Sequence, residues 1–205
     1  MAWRDSLREQ RRRVILEAAA RVFARKGYQR ATMREVATEA GIAPGTIYLY
    51  FHNKRDLLLS IAERLVGEIG RLLVQPPEGE LRPFISTLLR NQLEMMRRNR
   101  PFTRVLLTEV MTDEALRRQY QERVVAPVLA QLEARLRAGV EAGEIRPLNP
   151  SIVTRAIVGA VVFLLLSAGE PLGDFLAEER QEEVVTELTN FFLCGLQPCD
   201  EEGNG

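Results

Sequence analysis

The chain has 205 residues, of which 46% are apolar, so it can bury a core and global disorder is excluded. A formal net charge of zero at first argues against a nucleic-acid ligand, but the charge is unevenly distributed. Residues 1–55 contain 12 basic and 5 acidic side chains, whereas residues 56–205 contain 16 basic and 23 acidic ones. A basic head on an acidic body directs a protein to a polyanion through its N-terminal part.

Neither a metal site nor a membrane segment is expected. Cys194 and Cys199 are the two cysteines, and no histidine lies near them, so we expect no metal and no other cofactor. The absence of a secretory signal favours reduced thiols and a cytoplasmic location. The uncharged run at 156–169 is shorter than the roughly 20 residues that span a bilayer. We therefore predict a buried helix there and no membrane partner.

The first predicted helix begins at residues 11–13, which are three arginines, and ends at Gly27. Residues 1–9 are polar and are expected to lie outside it. The apolar side chains of this helix recur with the spacing of an amphipathic helix: Ile15, Ala18, Ala19, Val22 and Phe23. The three arginines fit a solvated helix end as well as contacts to phosphate groups, and both interpretations stay open.

Residues 32–40 form the second predicted helix, and signals for both of its ends are present. Thr32 and Glu35 have the Thr-x-x-Glu pattern of a capping box, in which each side chain binds the backbone N–H of the other residue. Gly41 follows, where a left-handed residue commonly ends a helix. Pro44 has a fixed φ and no N–H to donate, so it suits the first turn of a third helix.

The third predicted helix extends to about residue 52 and has an inward and an outward face. Ile47 and Phe51 are four residues apart and are expected to point inward. Gly45 allows the backbone to approach a phosphate group closely. Four side chains point outward or sideways: Thr46, Tyr48, Leu49 and Tyr50. Two short helices around a glycine turn are typical of a device that enters the DNA major groove, although an ordinary helical hairpin has the same spacing.

The sequence of this segment is more specific than its spacing. The string Gly-Ile-Ala-Pro-Gly-Thr-Ile-Tyr-Leu-Tyr-Phe-His-Asn-Lys at 41–54 resembles the recognition helix, and the start of the next helix, in the TetR family of bacterial transcriptional regulators. Gly27 and Tyr28, ahead of Thr32, also fit the family pattern. The specific resemblance covers about residues 10–60 and implies DNA binding.

The resemblance also implies roles for individual residues. Phosphate contacts are implied for Thr32, Tyr48 and Lys54, and contacts within the groove for Thr46 and Tyr50. The DNA-binding set that we predict includes four further positions: Arg34, Pro44, Gly45 and Leu49.

The segment departs from the commonest family pattern at three positions. Ala43 stands where a serine cap is usual, so we expect the third helix to lack a side-chain cap, a loss of about 1 kcal/mol. Pro44 replaces a frequent basic residue and removes a candidate base contact. What Leu49 contacts is open, and a thymine methyl group is one option.

The rest of the chain predicts further helices, so the predicted fold class is all-α. They are expected at about 54–74, 81–99, 102–111, 113–143, 150–168 and 178–195, with Pro127 kinking or splitting the longest. Breaks rich in Pro and Gly occur at 75–79 and 169–174. We predict a three-helix helix-turn-helix DNA-binding domain at 1–54 and a larger helical domain for effector binding and dimerisation at 55–205.

The last two predicted helices are unusually apolar, and the resemblance implies that they pack against the same helices of a second copy. The predicted interface positions are Val158, Val162, Leu165, Val184, Leu188, Phe191 and Phe192. Alternatively, these side chains form the core of a monomer. A homodimer would place two recognition helices in successive major grooves of a near-palindromic double-stranded DNA operator.

The helices from 81 to 143 could hold a small effector. We place the following adaptable or aromatic side chains along such a pocket: Met95, Met96, Phe102, Leu106, Met111 and Phe163. For any single one of them core packing is the simpler interpretation, but as a group they favour an apolar or amphipathic effector. Four arginines either bind an anionic group, such as the head of an acyl thioester, or form a solvated face: Arg97, Arg98, Arg100 and Arg104.

An enzyme is the competing class, and the sequence argues against it. His52 is the sole histidine and lies in the predicted DNA-binding segment, so a Ser-His-Asp or Cys-His arrangement elsewhere is excluded. A third alternative is an effector-free architectural dimer, but a body of about 150 residues exceeds what dimerisation needs. We therefore predict a homodimeric DNA-binding regulator, most simply a repressor released by a small, largely apolar ligand.

Overall fold

The computed structural model describes residues 2–74, 81–167, 174 and 177–196. Within these ranges every regular element is a helix, which confirms the all-α fold. In chain order they are α1 (Ala2–Lys26), α2 (Met33–Glu39), a 3₁₀ helix (Thr46–Leu49), α3 (Lys54–Val74), α4 (Leu81–Arg98), α5 (Arg100–Thr112), α6 (Glu114–Tyr120), a π-helical turn (Gln121–Val125), α7 (Ala126–Glu141), α8 (Pro150–Ser167), a second 3₁₀ helix (Glu178–Arg180) and α9 (Gln181–Leu196). The predicted breaks at 75–79 and, apart from Asp174, at 169–174 lie outside the described residues.

The chain packs into two compact units that interleave along the sequence. The first comprises Met1–Val66 and Asn99–Val125, and the second comprises Gly67–Arg98 and Ala126–Gly205. By packing, therefore, α5 and α6 belong with the predicted DNA-binding segment. The functional division that we predict between residues 54 and 55 is a separate matter and stays a prediction.

The core of the first unit gathers apolar side chains from α1, α2, α3 and α5. The stripe predicted on α1 is buried, and Val22 and Phe23 are fully enclosed. Val36 and Ala37 of α2 belong to the same cluster. Burial of an apolar side chain of the size of valine stabilises the fold by about 1.5–3 kcal/mol, so Val36 contributes to holding α2 against α1.

The first helix is longer than predicted. α1 begins at Ala2, so the expectation that residues 1–9 lie outside it is wrong. Residues 2–9 contain no glycine or proline and most are good helix formers, so each one extends an existing hydrogen-bond ladder at little cost. Arg8 on this part of α1 is exposed, and so is Arg11 just after it.

Pro127 interrupts the longest predicted helix. The π-helical turn Gln121–Val125 separates α6 from α7 just before the proline. Pro127 has no N–H for the carbonyl of Arg123, and a local change of helix type accommodates that loss. The Arg123 guanidinium contacts α3, where it donates to Glu63 over 2.6 Å and to Asp56 over 3.3 Å.

The second unit is built by packing of α4 against α9 and of α7 against α8. A bidentate ion pair links α4 to α9, since Arg90 donates to the Glu182 carboxylate over 2.8 and 2.7 Å. Gly139 permits a close approach at the end of α7, because a Cβ there would lie 2.6 Å from Ile145 Cδ1. In the described ranges no helix combines the length and the apolar character needed to cross a bilayer.

Candidate DNA-binding surface and effector site

The predicted capping box fixes the N-terminus of α2. The Glu35 N–H donates to Thr32 Oγ1 over 3.2 Å, and the Thr32 N–H donates to Glu35 Oε2 over 3.1 Å. The Glu35 carboxylate also accepts a hydrogen bond from Lys26 at the end of α1. The bond from Lys26, followed by those from Thr32, lowers the pKa of Glu35. The cap therefore also ties α2 to α1.

Gly41 turns the chain at the C-terminus of α2, as predicted. Its φ of 68° lies in the left-handed region. The Gly41 N–H donates to the Thr38 carbonyl over 3.1 Å, and the Ile42 N–H donates to the Ala37 carbonyl over 3.0 Å. This pair of bonds is the Schellman motif, which satisfies two carbonyls at a helix end. Ile42 then packs against the core of the first unit.

The third predicted helix is shorter and tighter than expected. It is a 3₁₀ helix of four residues, Thr46–Leu49, whereas the sequence predicted a helix to about residue 52. Two causes are local: Thr46 and Tyr48 have side chains that disfavour the α-helix, and Gly45 at the N-cap has no side-chain acceptor. The helix lacks a side-chain cap as expected, but its N-cap is Gly45 and not the predicted Ala43.

Tertiary packing holds this 3₁₀ helix through two side chains and leaves two others at the surface. Ile47 and Phe51 are 0% and 1% exposed, whereas Tyr48 and Leu49 are 56% and 73% exposed. The guanidinium of Arg12 covers the Phe51 ring at 4.5 Å from its centre. Because the buried pair fixes the backbone, the exposed pair projects from a rigid support.

The other predicted DNA-binding residues differ in how accessible they are. Arg34, Pro44 and Gly45 are exposed, and Thr46 and Tyr50 are partly buried. The Tyr50 side chain packs against the core of the first unit. The side chains of Tyr48 and Leu49 are therefore more accessible to a DNA duplex than that of Tyr50. The DNA contacts themselves stay predictions.

Lys54 has structural partners that the sequence did not reveal. Its ammonium group donates to the carbonyls of Tyr28, Gln29 and Ala31 over 2.7, 3.0 and 3.1 Å. The same nitrogen lies 4.5 Å from the centre of the Tyr28 ring. Burial lowers the pKa of Lys54, and the nearby Glu109 carboxylate partly offsets this effect. All three N–H groups of the ammonium thus tie the start of α3 to the α1–α2 connection. A DNA phosphate that bound Lys54 would have to accept from N–H groups that already donate to these carbonyls.

Two further polar contacts join the α1–α2 connection and the start of α3 to α5 and its C-terminal end. The Gln29 amide donates to Glu109 Oε2 over 2.5 Å, and Arg55 donates to Asp113 Oδ2 over 2.6 Å. Glu109 is 8% exposed, so its carboxylate is largely withdrawn from solvent. The partners are 80 and 58 positions apart, so no local sequence pattern could have predicted these contacts.

Comparison with known protein families decides what kind of protein carries this helix-turn-helix. Residues 15–61 match the family model for bacterial regulatory proteins of the tetR family. Residues 75–184 match the model for the tetracyclin repressor-like C-terminal domain. The chain belongs to the TetR family. It is therefore a DNA-binding transcriptional regulator, as the motif at 41–54 predicted.

Individual relatives of this TetR-family regulator extend over most of its length. The fatty acid metabolism regulator protein of Bacillus subtilis is 25% identical over 150 residues, covering 72% of this chain and 77% of the relative. The HTH-type transcriptional regulator YfiR of the same bacterium is 28% identical over 202 residues, covering 95% and 96%. FadR from Bacillus subtilis in complex with stearoyl-CoA has the same fold, with a TM-score of 0.73 at 21% identity over 89% of this chain and 97% of that one.

The six side chains predicted to line an effector pocket do not share one environment. Phe102 and Leu106 are buried in the core of the first unit, and Met96 is buried in the second. Met95 is partly buried, whereas Met111 and Phe163 are exposed. A cavity between α4, α7, α8 and α9 of the second unit is lined by other side chains. The effector role of the six stays a prediction.

Two of the four arginines considered for an anionic group, Arg97 and Arg98, are held by carboxylates. Arg97 donates to Glu94 over 2.8 Å and to Glu178 over 3.1 Å, and Arg98 donates to Glu94 over 2.5 Å. The hydrogen bonds from Arg97, and then from Arg98, lower the pKa of Glu94. This network favours the solvated-face interpretation for both arginines. Arg100 is partly buried and Arg104 is exposed.

The seven residues predicted at a dimer interface divide between core and surface. Val184 and Phe192 are buried, and Phe191 is 70% exposed. Three others are partly buried: Val158, Val162 and Leu188. The side chain of Leu165 lies outside the described part. A core role accounts for the buried pair, and Phe191 remains available to a partner surface.

An exposed apolar face on α8 is a second candidate for that interface. Ile152, Ala156, Gly159 and Phe163 are all exposed and follow one another at spacings of four, three and four residues, which places them on one side of the helix. A Cβ added at Gly159 would meet no atom within 4 Å. Contiguous exposed apolar surface of this kind marks interaction sites in soluble proteins.

No metal site emerges from the described part of the chain. Among its residues, no three His, Cys, Asp or Glu side chains are placed to hold an ion. Cys194 is an exposed free thiol, and Cys199 lies outside the described residues.

Proposed function

We propose that this TetR-family regulator is a homodimeric repressor that leaves a near-palindromic operator when a small apolar or amphipathic effector binds. One observation carries the DNA-binding part of the proposal. Tyr48 and Leu49 project from a 3₁₀ helix whose neighbours Ile47 and Phe51 are fully buried. A preformed projection can enter the major groove without the entropic cost of ordering it on binding.

The proposed DNA contacts fall into two types. Thr32, Tyr48 and Lys54 contact phosphate groups and position the head, whereas Leu49 and the residues beside it face base edges. Leu49 is 73% exposed and apolar, which suits the methyl group of thymine. The excess of basic side chains in residues 1–55 adds an attraction that is independent of sequence.

Dimerisation supplies the symmetry that such an operator requires. The exposed α8 face and Phe191 of α9 are the surfaces that we propose a second copy covers. Two heads related by a two-fold axis then contact half-sites about 34–36 Å apart, in successive major grooves. Any change in the spacing of the heads lowers the affinity for that DNA.

The effector acts on the equilibrium between the operator-bound and the released dimer. It can shift this equilibrium only by its differential affinity for the two states. We place its site within residues 55–205. Two comparisons support an acyl-type amphipathic molecule: the relative named as a fatty acid metabolism regulator, and the fold neighbour solved with stearoyl-CoA.

Selection of bound sequences from random double-stranded DNA tests this function. We expect enrichment of a near-palindrome, and we expect Leu49→Glu to abolish it because a carboxylate would face the duplex. Met111→Glu is the matched control, since Met111 is equally exposed, at 72%, and lies outside the DNA-binding segment. No enrichment over scrambled competitor at modest ionic strength contradicts the proposal. An operator that no lipid, drug or acyl thioester releases favours an effector-free architectural dimer instead.

A further inference from the structure

One cavity in the second unit combines an apolar wall with a single charged side chain. It lies between α4, α7, α8 and α9, and its volume is about 70 Å³. Its walls include Phe84, Leu88, Leu132, Leu136, Ile157 and Phe192. Among the described side chains that line it, Arg135 of α7 is the one charged residue. The lining is apolar, so Arg135 faces the cavity with its alkyl stem while its guanidinium lies beside the exposed Glu144.

The guanidinium of Arg135 is only partly satisfied. Its Nε is buried and has no hydrogen-bond partner in the part of the chain that the structure describes. One terminal nitrogen donates to Glu144 Oε2 over 3.3 Å, and the group lies 5.8 Å from the centre of the Phe84 ring. A buried donor without an acceptor is unfavourable. The N–H groups of a guanidinium match carboxylate and phosphate oxygens once a ligand can reach them.

Two buried hydroxyl groups lie one helical turn from the cavity wall. Thr154 and Thr189 are 0% and 2% exposed, and neither hydroxyl has a hydrogen-bond partner among the described residues. Each is three residues before a side chain of the wall, Ile157 on α8 and Phe192 on α9, and so lies on the same helix face. A molecule that widens the cavity along these helices would meet polar partners there.

We propose that Arg135 anchors the anionic head group of an acyl-chain ligand whose apolar chain enters this cavity. The inference rests on the proposed function, because it specifies the effector site. The shared chemistry is an acyl chain with a negatively charged head, whether a free carboxylate or the phosphates of an acyl thioester. Arg97 and Arg98 are held by Glu94, and unlike Arg135 they do not line the cavity.

The volume of the cavity gives the ligand a mechanical effect. Sites for ligands of drug size occupy about 300–1,000 Å³, whereas this cavity holds about 70 Å³. An acyl chain therefore has to move the walls apart as it enters. Ile145 is part of the wall and contacts the end of α7 at Gly139, so movement there displaces the turn after α7. Binding energy is thereby linked to helix positions in the second unit.

Calorimetric titration with decanoate, decanoyl-CoA and the neutral analogue decanol tests the anchor. We expect both anions to bind the wild-type protein more tightly than decanol. Arg135→Met should weaken the binding of the anions by about tenfold or more, the effect of losing one charge-assisted hydrogen bond, and leave decanol unchanged. Arg137→Met is the matched control on α7, because Arg137 is exposed and does not line the cavity.

Glu144→Gln is a second test, which keeps Arg135 and is expected to strengthen the binding of anions instead of weakening it. Glu144 competes for the guanidinium and is exposed at the surface. Its neutralisation should tighten the binding of the anions by roughly threefold and leave decanol unaffected. This variant separates an anchoring role from a loss of folding in Arg135→Met, which thermal unfolding reports independently.

The outcomes separate this inference from the proposed function. The inference is overturned if the three probes bind equally, if none binds, or if Arg135→Met retains the preference for anions. The relative affinities of decanoate and decanoyl-CoA identify the source of the anion, and both support the anchor if they depend on Arg135. Operator binding and its release by other compounds are measured separately, so the proposed function can stand when the anchor fails.

Discussion

At the scale of single residues, DNA binding depends on a few side chains whose neighbours are buried. Tyr48 is 56% exposed, and its hydroxyl can donate a hydrogen bond to a phosphate oxygen. We expect Tyr48→Phe to weaken DNA binding by about 1 kcal/mol and to do so equally for all sequences, since phosphates carry no sequence information. Titration of an operator and a scrambled duplex measures this. A changed base preference would contradict the phosphate assignment.

Lys54 is the residue where a DNA contact and a structural role can be distinguished. A phosphate contact predicts that Lys54→Ala weakens binding to all sequences and lowers the salt slope by about 1. The three carbonyls that Lys54 binds predict a lower melting temperature as well, because they lose their donors. Titrations at several salt concentrations and a thermal melt report the two effects. Arg30→Ala, an exposed cation on the same connection that donates to the single carbonyl of Lys26, is the control.

An unchanged salt slope together with a lower melting temperature would assign Lys54 to positioning alone. In that case its ammonium makes no contact with DNA and affects DNA binding only because it holds residues 28–31 in place. An unchanged melting temperature would show instead that the carbonyl contacts contribute little to the folded state.

At the scale of elements, the geometry of the helix-turn-helix depends on the end of α2. Gly41 has a φ of 68°, and a Cβ there would meet nothing within 4 Å, so an alanine would suffer from backbone strain alone. We expect Gly41→Ala to lower the free energy of unfolding by about 1 kcal/mol. Gly67→Ala is the matched control inside α3, equally open but helical, and should raise it by roughly 0.5–1 kcal/mol.

Denaturant titration compares the two glycine variants. A Gly41→Ala protein as stable as the wild type would mean that the turn tolerates another conformation. If stability falls and operator affinity stays the same, the strain is confined to α2 and does not reach the 3₁₀ helix.

At the scale of the whole molecule, the regulator that we propose works as a pair. Gly159 lies in the exposed face of α8 with open space around it, so an arginine fits the single protomer. We expect Gly159→Arg to leave folding intact and to produce monomers at micromolar concentration, because the charge blocks close packing of α8 with a second copy. Sedimentation velocity measures the change. Thr87→Arg, on an exposed position of α4, is the control.

The same variant links assembly to function. A monomer can contact one half-site only, so operator affinity should fall steeply in Gly159→Arg while contacts to a single half-site persist. A wild-type protein that is already monomeric at micromolar concentration would remove the dimer from the proposed function.

Much of the DNA-binding segment could be predicted from local sequence, because its signals act within a few residues. Thr32 and Glu35 are three positions apart and form the capping box wherever α2 begins. At Gly41 that helix ends through two bonds, from the Gly41 N–H to the carbonyl three residues back and from the Ile42 N–H to the carbonyl five residues back. The burial of Ile47 and Phe51 follows from their four-residue spacing. The family was accessible for the same reason, since its motif is contiguous.

What the sequence by itself determined is thus the all-α fold, the helix-turn-helix and the family, all of which depend on short-range patterns. Only the tertiary structure decided that Lys54 binds carbonyls 23 to 26 positions away and that Arg135 borders an apolar cavity. The six side chains predicted to line an effector pocket lie in different environments because helix packing, and not composition, places them. Composition can indicate which residues suit a pocket, but helix packing determines which of them meet, because contacts between distant segments depend on the whole arrangement of the core.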